Sequence, residues 1–489
     1  MPGSYRPQYN KYAQLTPNII KKALDTAAGV GAAHIPQDLE KLYTDTVNRL
    51  SPELALVTAK QANSLTPEFN RVIARPALGG AQGENSTAPK TNSKSVRDSV
   101  KVKVIKRVGA ISNLLKDSSR TFLDVQAFEM QQHLEAHVLD LIYYMLYGNK
   151  DSAAYVGGTW TTSPDIEMDG IDKFVVSNRL QLLPGTAVPT DLSFLDGMLD
   201  ATSRNGGNRT VRAFGSSPEF LSKISRLLTN VRLNQDYGSG LTQVDIAGGW
   251  RMNAYRQTPI IETTSTKAME KLTSTVSLST VATGGGLSDG TYYVRVAPVT
   301  NQGEQEASDE ASITISGGGA AQRIRITLSA SHKTDGLNSA YSYRIYVGTS
   351  SGVANTKLKK IVSAFMYDAS KSQLDPMIDA NCAGTGTNYI FFDSMTPGAD
   401  VPTGLQNDIP NVAVGGIRPE MMYLWCTDPI QGLGKLPYVN TDGDIFNGLV
   451  TTKRLADVED YIQFLIKSYC ALCPSFEKTS YIIRGLRTA

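Results

Sequence analysis

Apolar positions recur at steps of three and four residues between Thr121 and Tyr147. Ala127, Met130, Leu134, Val138, Leu141 and Met145 carry the pattern. That spacing lines them along one face of a helix. Thr121 with Asp124 three residues later predicts its start, and Gly148-Asn149 its stop. At 1.5 Å per residue the helix runs roughly 40 Å, long enough to serve as a girder for other elements. Upstream, Ile35, Leu39, Leu42 and Leu50 predict a shorter helix. Ser51-Pro52-Glu53 opens another carrying Leu54, Leu56 and Val57.

Between those helices and the girder the period changes. Phe69 to Pro76 reads as a strand, and Val100, Val102 and Val104 alternate with Lys101 and Lys103 as a second. The stretch Gly79 to Lys94 between them is polar and nearly free of apolar residues. The expectation is a hairpin with a tip of about twenty residues, a length that is usually functional or disordered. A two-stranded ribbon is marginal alone, so its packing partner is either another subunit or nothing.

Past the girder, Val175 and Val176 suggest a strand. Thr190-Asp191 caps a helix with Leu192, Leu195 and Leu199. Thr210 to Phe214 is a short strand, and Ser217-Pro218-Glu219 starts a helix with Leu221, Ile224, Leu227 and Leu228. This alternation reads as an α/β unit. At Thr263 the composition turns to Ser, Thr and Gly. About seven short apolar runs follow, around Leu278, Tyr292–Val296, Ile313, Ile324, Tyr341–Val347, Ile361 and Tyr389–Phe392, with turn residues between them. That is a β-sandwich pattern, and the α/β pattern returns near residue 407, so 263–406 reads as a domain inserted into another. In the last part, Leu455 to Leu465 fits a helix while Phe464 to Cys473 fits a strand. Tyr481 to Arg484 is a final strand.

Composition adds exclusions rather than chemistry. Among 489 residues, Lys+Arg is 48 and Asp+Glu is 46, which gives no basic excess for nucleic acid or anionic membrane. The start, MPGSYRPQYNKYAQ, has no apolar core of a signal peptide, and no apolar run approaches a membrane span, so a soluble, cytoplasmically made protein is expected. Four cysteines make no disulfide framework. Cys470 and Cys473 form one C-x-x-C without a second ligand pair, and small buried core residues explain it better. Glu129, His133 and His137 share a helix face, but Glu135 is misplaced for H-E-x-x-H, and a solvated face or subunit contact is expected there. No G-x-x-x-x-G-K-[ST] and no G-x-S-x-G occurs, and Asp442-Gly443-Asp444 fits a turn. The expectation is therefore no enzyme, no metal and no cofactor, but a structural or interaction protein.

The order of elements resembles the tailed-phage major capsid protein family of the Hong Kong 97 fold. The stretches that carry it are the polar-tipped hairpin Phe69–Val108 and the long helix behind it. Phe214-Gly215-Ser216-Ser217-Pro218, Gly249-Trp250-Arg251-Met252 and Pro259-Ile260-Ile261 are similar to the family's axial-domain core. Tyr461 to Pro474 with Lys478 to Arg484 is similar to its closing strands, which favours strand over helix there. Tyr292 to Ala297, Asn301-Gln302-Gly303-Glu304 and Tyr343-Arg344-Ile345-Tyr346 resemble strands of an immunoglobulin or fibronectin-III sandwich.

The resemblance implies an α+β fold. Its parts would be an arm with short helices (1–68), an extended hairpin loop (69–112), a peripheral domain with the spine helix (113–185), an axial domain (186–262), the inserted sandwich (263–406) and a return to both domains (407–489). It implies self-assembly through hexameric and pentameric capsomers into an icosahedral or prolate virion head enclosing double-stranded DNA, with the inserted domain outside. A separate scaffold, a portal and cement proteins would be further partners. Candidate inter-subunit contacts are Tyr5, Arg6 and Tyr9 on the arm and Arg75, Lys90, Lys94, Arg97, Lys101 and Lys103 on the hairpin. The alternatives are a nanocompartment shell of the same fold, a carbohydrate-binding adhesin or tail protein built around the sandwich, and an enzyme with an accessory domain.

Overall fold

The computed structural model describes residues 52–488 apart from 77–80, 82–83, 85–86, 88–89, 120–123, 157–158, 162–164, 184–188, 207–211, 235–240, 247–249, 257, 267–275, 283, 317–321, 328–339, 369–372, 377–388, 431, 442–447 and 457–459. The helix expected at 35–50 and the Asp442-Gly443-Asp444 turn lie outside the described residues.

In chain order, α1 (Glu53–Leu56) leads into β1 (Thr58–Gln61), then β2 (Glu68–Ala74), β3 (Lys94–Ser99) and β4 (Lys103–Ser112). Next come α2 (Asn113–Ser119), α3 (Val125–Tyr147), β5 (Ala153–Val156), β6 (Thr159–Thr161), α4 (Ile171–Phe174) and β7 (Arg179–Gln181). The α/β part holds α5 (Ser193–Arg204), β8 (Arg212–Ser216), α6 (Pro218–Asn234), β9 (Leu241–Ile246), β10 (Trp250–Tyr255) and β11 (Thr258–Glu262). Strands then dominate: β12 (Ser277–Val281), β13 (Gly290–Thr300), β14 (Gly303–Glu304), β15 (Ala311–Ile315), β16 (Arg323–Thr327), β17 (Ser342–Gly348), β18 (Lys357–Asp368), β19 (Gln373–Pro376) and β20 (Tyr389–Phe392). The chain closes with β21 (Glu420–Cys426), β22 (Lys435–Tyr438), β23 (Thr451–Arg454), β24 (Tyr461–Cys470) and β25 (Tyr481–Leu486).

The girder is α3. Asp124 is its N-cap, accepting from the Ala127 N–H at 3.1 Å, and Gly148 ends it. Its apolar stripe packs as the spacing requires. Met130 and Leu134 sit on Ile111, Phe464 and Ile466, and Leu141 and Met145 are fully buried. The sheet beneath it is five-stranded. β24 pairs with β4 along its whole length on one side, and with β23 and then β22 on the other. β1 adds in parallel to β22. The open choice thus resolves to strand over Tyr461–Cys470. Residues alternating at period two put Ile462, Phe464, Ile466 and Cys470 against the core, and a helix would scatter them.

The α/β part is a seven-stranded sheet, β7-β25-β21-β8-β11-β10-β9. α5 and α6 pack on it through Leu195, Met198, Leu199, Phe220 and Ile224. The start of α6 follows the sequence signal, with the Ser217 hydroxyl accepting from the Phe220 N–H at 3.2 Å. Val175 and Val176 are not in a strand: Val175 caps the single turn of α4, and the strand begins at Arg179. One short apolar pair carries too little period to separate the two.

All seven apolar runs of 263–406 form strands. The three-stranded sheet β12-β16-β20 and an eight-stranded sheet share one apolar core that includes Val294, Val296, Ile324, Ile345 and Phe392. The larger sheet does not stop at the boundaries of the segment. β18 pairs in parallel with β5, which comes from residues 153–156 directly after the girder, and β6 follows it.

The hairpin is built differently from its sequence pattern. β2 pairs with β3, register Glu68↔Ser99 to Ala74↔Lys94. The alternating run Val100–Val104, expected as the return strand, leads into β4 and belongs to the sheet under α3. Lys94 to Ser99 lacks apolar alternation because β3 is exposed along all but Asp98, so the usual strand signal is missing there.

Candidate assembly interface

β2 and β3 form a two-stranded sheet of their own. Its root is fixed by the Val100 N–H donating to the Pro67 carbonyl at 3.1 Å and the Val102 N–H to Leu65 at 2.8 Å. A register shift between Val72 and Ala74 marks a bulge near the tip, the kind of irregularity that bends a strand. Beyond Arg71 the ribbon is open. Val72 and Ile73 are 64% and 51% exposed, and Val96 across from Arg71 is 39% exposed. Exposed apolar side chains of this kind are more often found where a surface makes contacts.

The charges divide in two. Arg71–Asp98 (2.9 Å) and Arg97–Glu68 (3.3 Å) pair within the ribbon. These half-exposed pairs contribute little stability and mainly fix which face each charge occupies. Arg75, Lys90 and Lys94 are exposed and carry no ion pair among the described residues. Lys101 and Lys103, candidates for subunit contacts, both make ion pairs within the chain. Both reach Asp165, at 3.1 and 2.6 Å, and Lys103 is buried. Burial opposes ionisation of Asp165, but the hydrogen bonds and charges of Lys103 and Lys101 outweigh it and hold the carboxyl below its usual range. These two lysines anchor the foot of the ribbon to the loop before α4. Tyr5, Arg6 and Tyr9 lie outside the described residues.

At the root, Phe69, Arg71, Asp98 and Ser99 of the ribbon meet Phe174, Pro474 and Glu477 around a cavity of about 330 Å³. Glu477 accepts from the Val176 N–H and the Ser177 hydroxyl, both at 2.9 Å, so the far wall of that cavity is itself tied down.

On the face expected to be solvated or in subunit contact, Glu129 and His133 are half-buried and His137 is sealed within the chain. His137 is fully buried, and its Nε2 lies 2.8 Å from the Ser468 hydroxyl of β24. Burial pushes its pKa down to about 4, with Arg107 adding to the effect and Asp140 opposing it. His133 meets the Phe464 ring edge-on at 5.4 Å. Asp140 takes a bidentate pair from Arg107 and a hydrogen bond from the Tyr341 hydroxyl. The histidines therefore lock helix to sheet. Among the described residues no three or more His, Cys, Asp or Glu gather as a metal site. Cys470 and Cys473 are buried thiols, their pKa values pushed up by burial to about 12 and about 11.

A feature the sequence reading missed joins the β-rich segment to the body. Arg344 of β17 reaches Glu304 (2.7 Å) and Asp172 of α4. Arg179 of β7 reaches Asp172 (2.7 Å) and Asp408 (2.6 Å). Arg484 of β25 reaches Asp408 and Glu304, and the Tyr346 hydroxyl donates to Glu304 at 2.7 Å. Three arginines and three carboxylates, each at most 4% exposed, thus balance one another. Burial alone would raise Asp172, but Arg179, Arg344 and Arg484 hold it well below the ordinary carboxylate range. The signal available in sequence was one arginine inside each apolar strand run, YRIYV and YIIRGL.

No protein-family model matches the sequence, and no curated protein matches it. Among solved structures, the chain is similar to phage capsids and to an encapsulin. The holo-SrpI encapsulin complex from Synechococcus elongatus PCC 7942 is 9% identical, with 92% of this chain and 93% of that chain covered and a TM-score of 0.40. Gordonia phage Cozz is 9% identical over 94% of each chain, with a TM-score of 0.43. The capsid of cyanophage A-1(L) is 11% identical over 93% of this chain and 98% of that one, with a TM-score of 0.37. At such identities no residue role passes from those proteins to this chain.

Proposed function

We propose that this chain is a non-catalytic structural protein whose copies assemble into a closed shell, each copy laying its β2–β3 ribbon on a neighbour. The observation that carries the reading is the ribbon itself. It is a two-stranded sheet that, among the described residues, is fixed at its foot, with Val72, Ile73 and Val96 open to water. An isolated two-stranded ribbon needs a surface to pack on, and a repeated contact of this kind closes by symmetry. The same reading makes the shell the virion head of a tailed phage, assembled in the host cytoplasm around double-stranded DNA from hexameric and pentameric capsomers. A separate scaffold, a portal and cement proteins would be its partners. It takes 263–406 as an immunoglobulin or fibronectin-III-type sandwich on the outside, and Arg75, Lys90, Lys94 and Arg97 as contacts to acidic neighbours.

A nanocompartment shell is the second reading, because the ribbon serves both equally. Electron microscopy of the purified chain, alone and with candidate scaffold, tests the common part. The expected result is closed shells or rings of five or six. Val72→Asp with Ile73→Asp is expected to leave a folded monomer. Shells that form unchanged from that double variant, or monomers alone from the parent under every condition, overturn the proposal. Nucleic acid or protein inside the shells then separates head from compartment.

A further inference from the structure

The sheet under α3 has two faces, and the helix covers one. On β4 and β24 the residues that face it are Ile111, Phe464, Ile466 and, through hydrogen bonds, Arg107 and Ser468. Strand alternation sends the intervening residues to the opposite face. There Val104 and Val108 are 45% and 53% exposed, and each stands directly across from a half-buried apolar partner, Tyr469 and Leu465.

Between these two apolar pairs lies a third pair, Lys106 opposite Lys467. Like charges directly opposed across an antiparallel pair destabilise it. Lys453 of β23, across from Leu465, brings a third cation to the same face. No carboxylate among the described residues pairs with any of the three. A modest compensation is the Lys467 ammonium, 5.5 Å from the Tyr469 ring centre. Among the described residues the face thus presents three cations without a carboxylate partner, inside an exposed apolar field.

We propose that this face binds an acidic, apolar-striped segment of a different polypeptide. Its carboxylates would sit between Lys106, Lys467 and Lys453, and its apolar side chains on Val104, Val108 and Leu465. The dimensions suit a helix. β4 and β24 are ten residues each, about 33 Å of strand, which is the length of a helix of roughly twenty residues. The ribbon of a second copy fits worse, because its described charges are five cations (Arg71, Arg75, Lys90, Lys94, Arg97) against three anions (Glu68, Glu84, Asp98). Nucleic acid fits worse too, since its phosphates would leave Val104 and Val108 facing a charged backbone.

The test is fluorescence anisotropy on the full unassembled chain. The probes are a labelled peptide of about twenty residues with Glu and Leu at helical spacing, its Lys-for-Glu counterpart, and duplex DNA. The acidic peptide is expected to bind and the basic one not. Lys106→Glu with Lys467→Glu is expected to weaken binding at least about tenfold. The ribbon variant Val72→Asp/Ile73→Asp is expected to leave it unchanged, which keeps this inference separable from the shell reading. A second readout needs no ligand: Lys106→Glu alone turns the opposed lysines into an ion pair and is expected to raise the thermal midpoint. Absence of acidic-peptide binding, equal binding by the charge-reversed variant, displacement of the peptide by DNA, or an unchanged or lower midpoint in the single variant would overturn the proposal.

Discussion

His137 spends its life without a charge. Its ring is sealed between α3 and β24 and bonded to Ser468, with a pKa near 4 set by burial. The unfolded chain, with an ordinary histidine near 6.5, takes up that proton first as pH falls. Stability therefore declines as pH drops from about 6.5 to 4, by up to about 3 kcal/mol from this group. Urea unfolding at several pH values checks it, and His137→Asn is expected to flatten the slope by roughly one proton. Glu167 works in the opposite sense. Burial pushes its carboxyl up to about 7, a bond from the Ser363 hydroxyl only partly countering it. Here the folded state holds the proton more tightly, so stability is lost as pH rises from about 4.5 to 7. Glu167→Gln is expected to remove that loss and to unfold at higher urea than the parent at pH 8. If the two variants leave both slopes in place, neither group is coupled to folding.

Among elements, the β4–β24 pair carries a tight steric requirement. A Cβ at Gly109 would lie 2.2 Å from the Phe464 ring, its cross-strand partner. Gly109→Ala is expected to cost about 1–3 kcal/mol through displacement of that ring, read as a lower unfolding midpoint. Paired with Phe464→Leu, the loss is expected to shrink. The same pair shows what a sequence discloses. Strands that bury one face, such as β24, announce themselves by alternation, and α3 does so by its stripe. β3 does not, because it is exposed along all but Asp98, so Lys94–Ser99 read as loop while Val100–Val104 read as its partner. His137 was misplaced for a related reason. Periodicity reports which residues share a helix face, but a polar residue on that face is sealed or solvated according to what the rest of the chain brings to it. Here it brought Ser468.

For the whole molecule, the six-charge cluster decides whether residues 263–406 behave as an attachment or as part of the body. Arg344 and Glu304 belong to the segment, and Asp172, Arg179, Asp408 and Arg484 to the rest. Arg484→Met removes one cation and leaves Glu304 and Asp408 short of balance. A loss of about 3–5 kcal/mol is expected, with faster limited proteolysis inside 263–406 as the diagnostic readout. Retention of parental resistance would show that the segment stands without the cluster. Long-range closure is a general property of this chain. The Asn113–Asp460 and Glu53–Tyr423 bonds link residues 347 and 370 positions apart. Folding rate falls as contacts become less local. The girder can form early, yet the sheet beneath it waits for strands made several hundred residues later. During synthesis the newborn chain therefore carries an unroofed helix and unpaired strand edges for most of its time on the ribosome. A cell making this protein in quantity faces a long window of exposed apolar surface, the kind of surface on which unfinished chains aggregate.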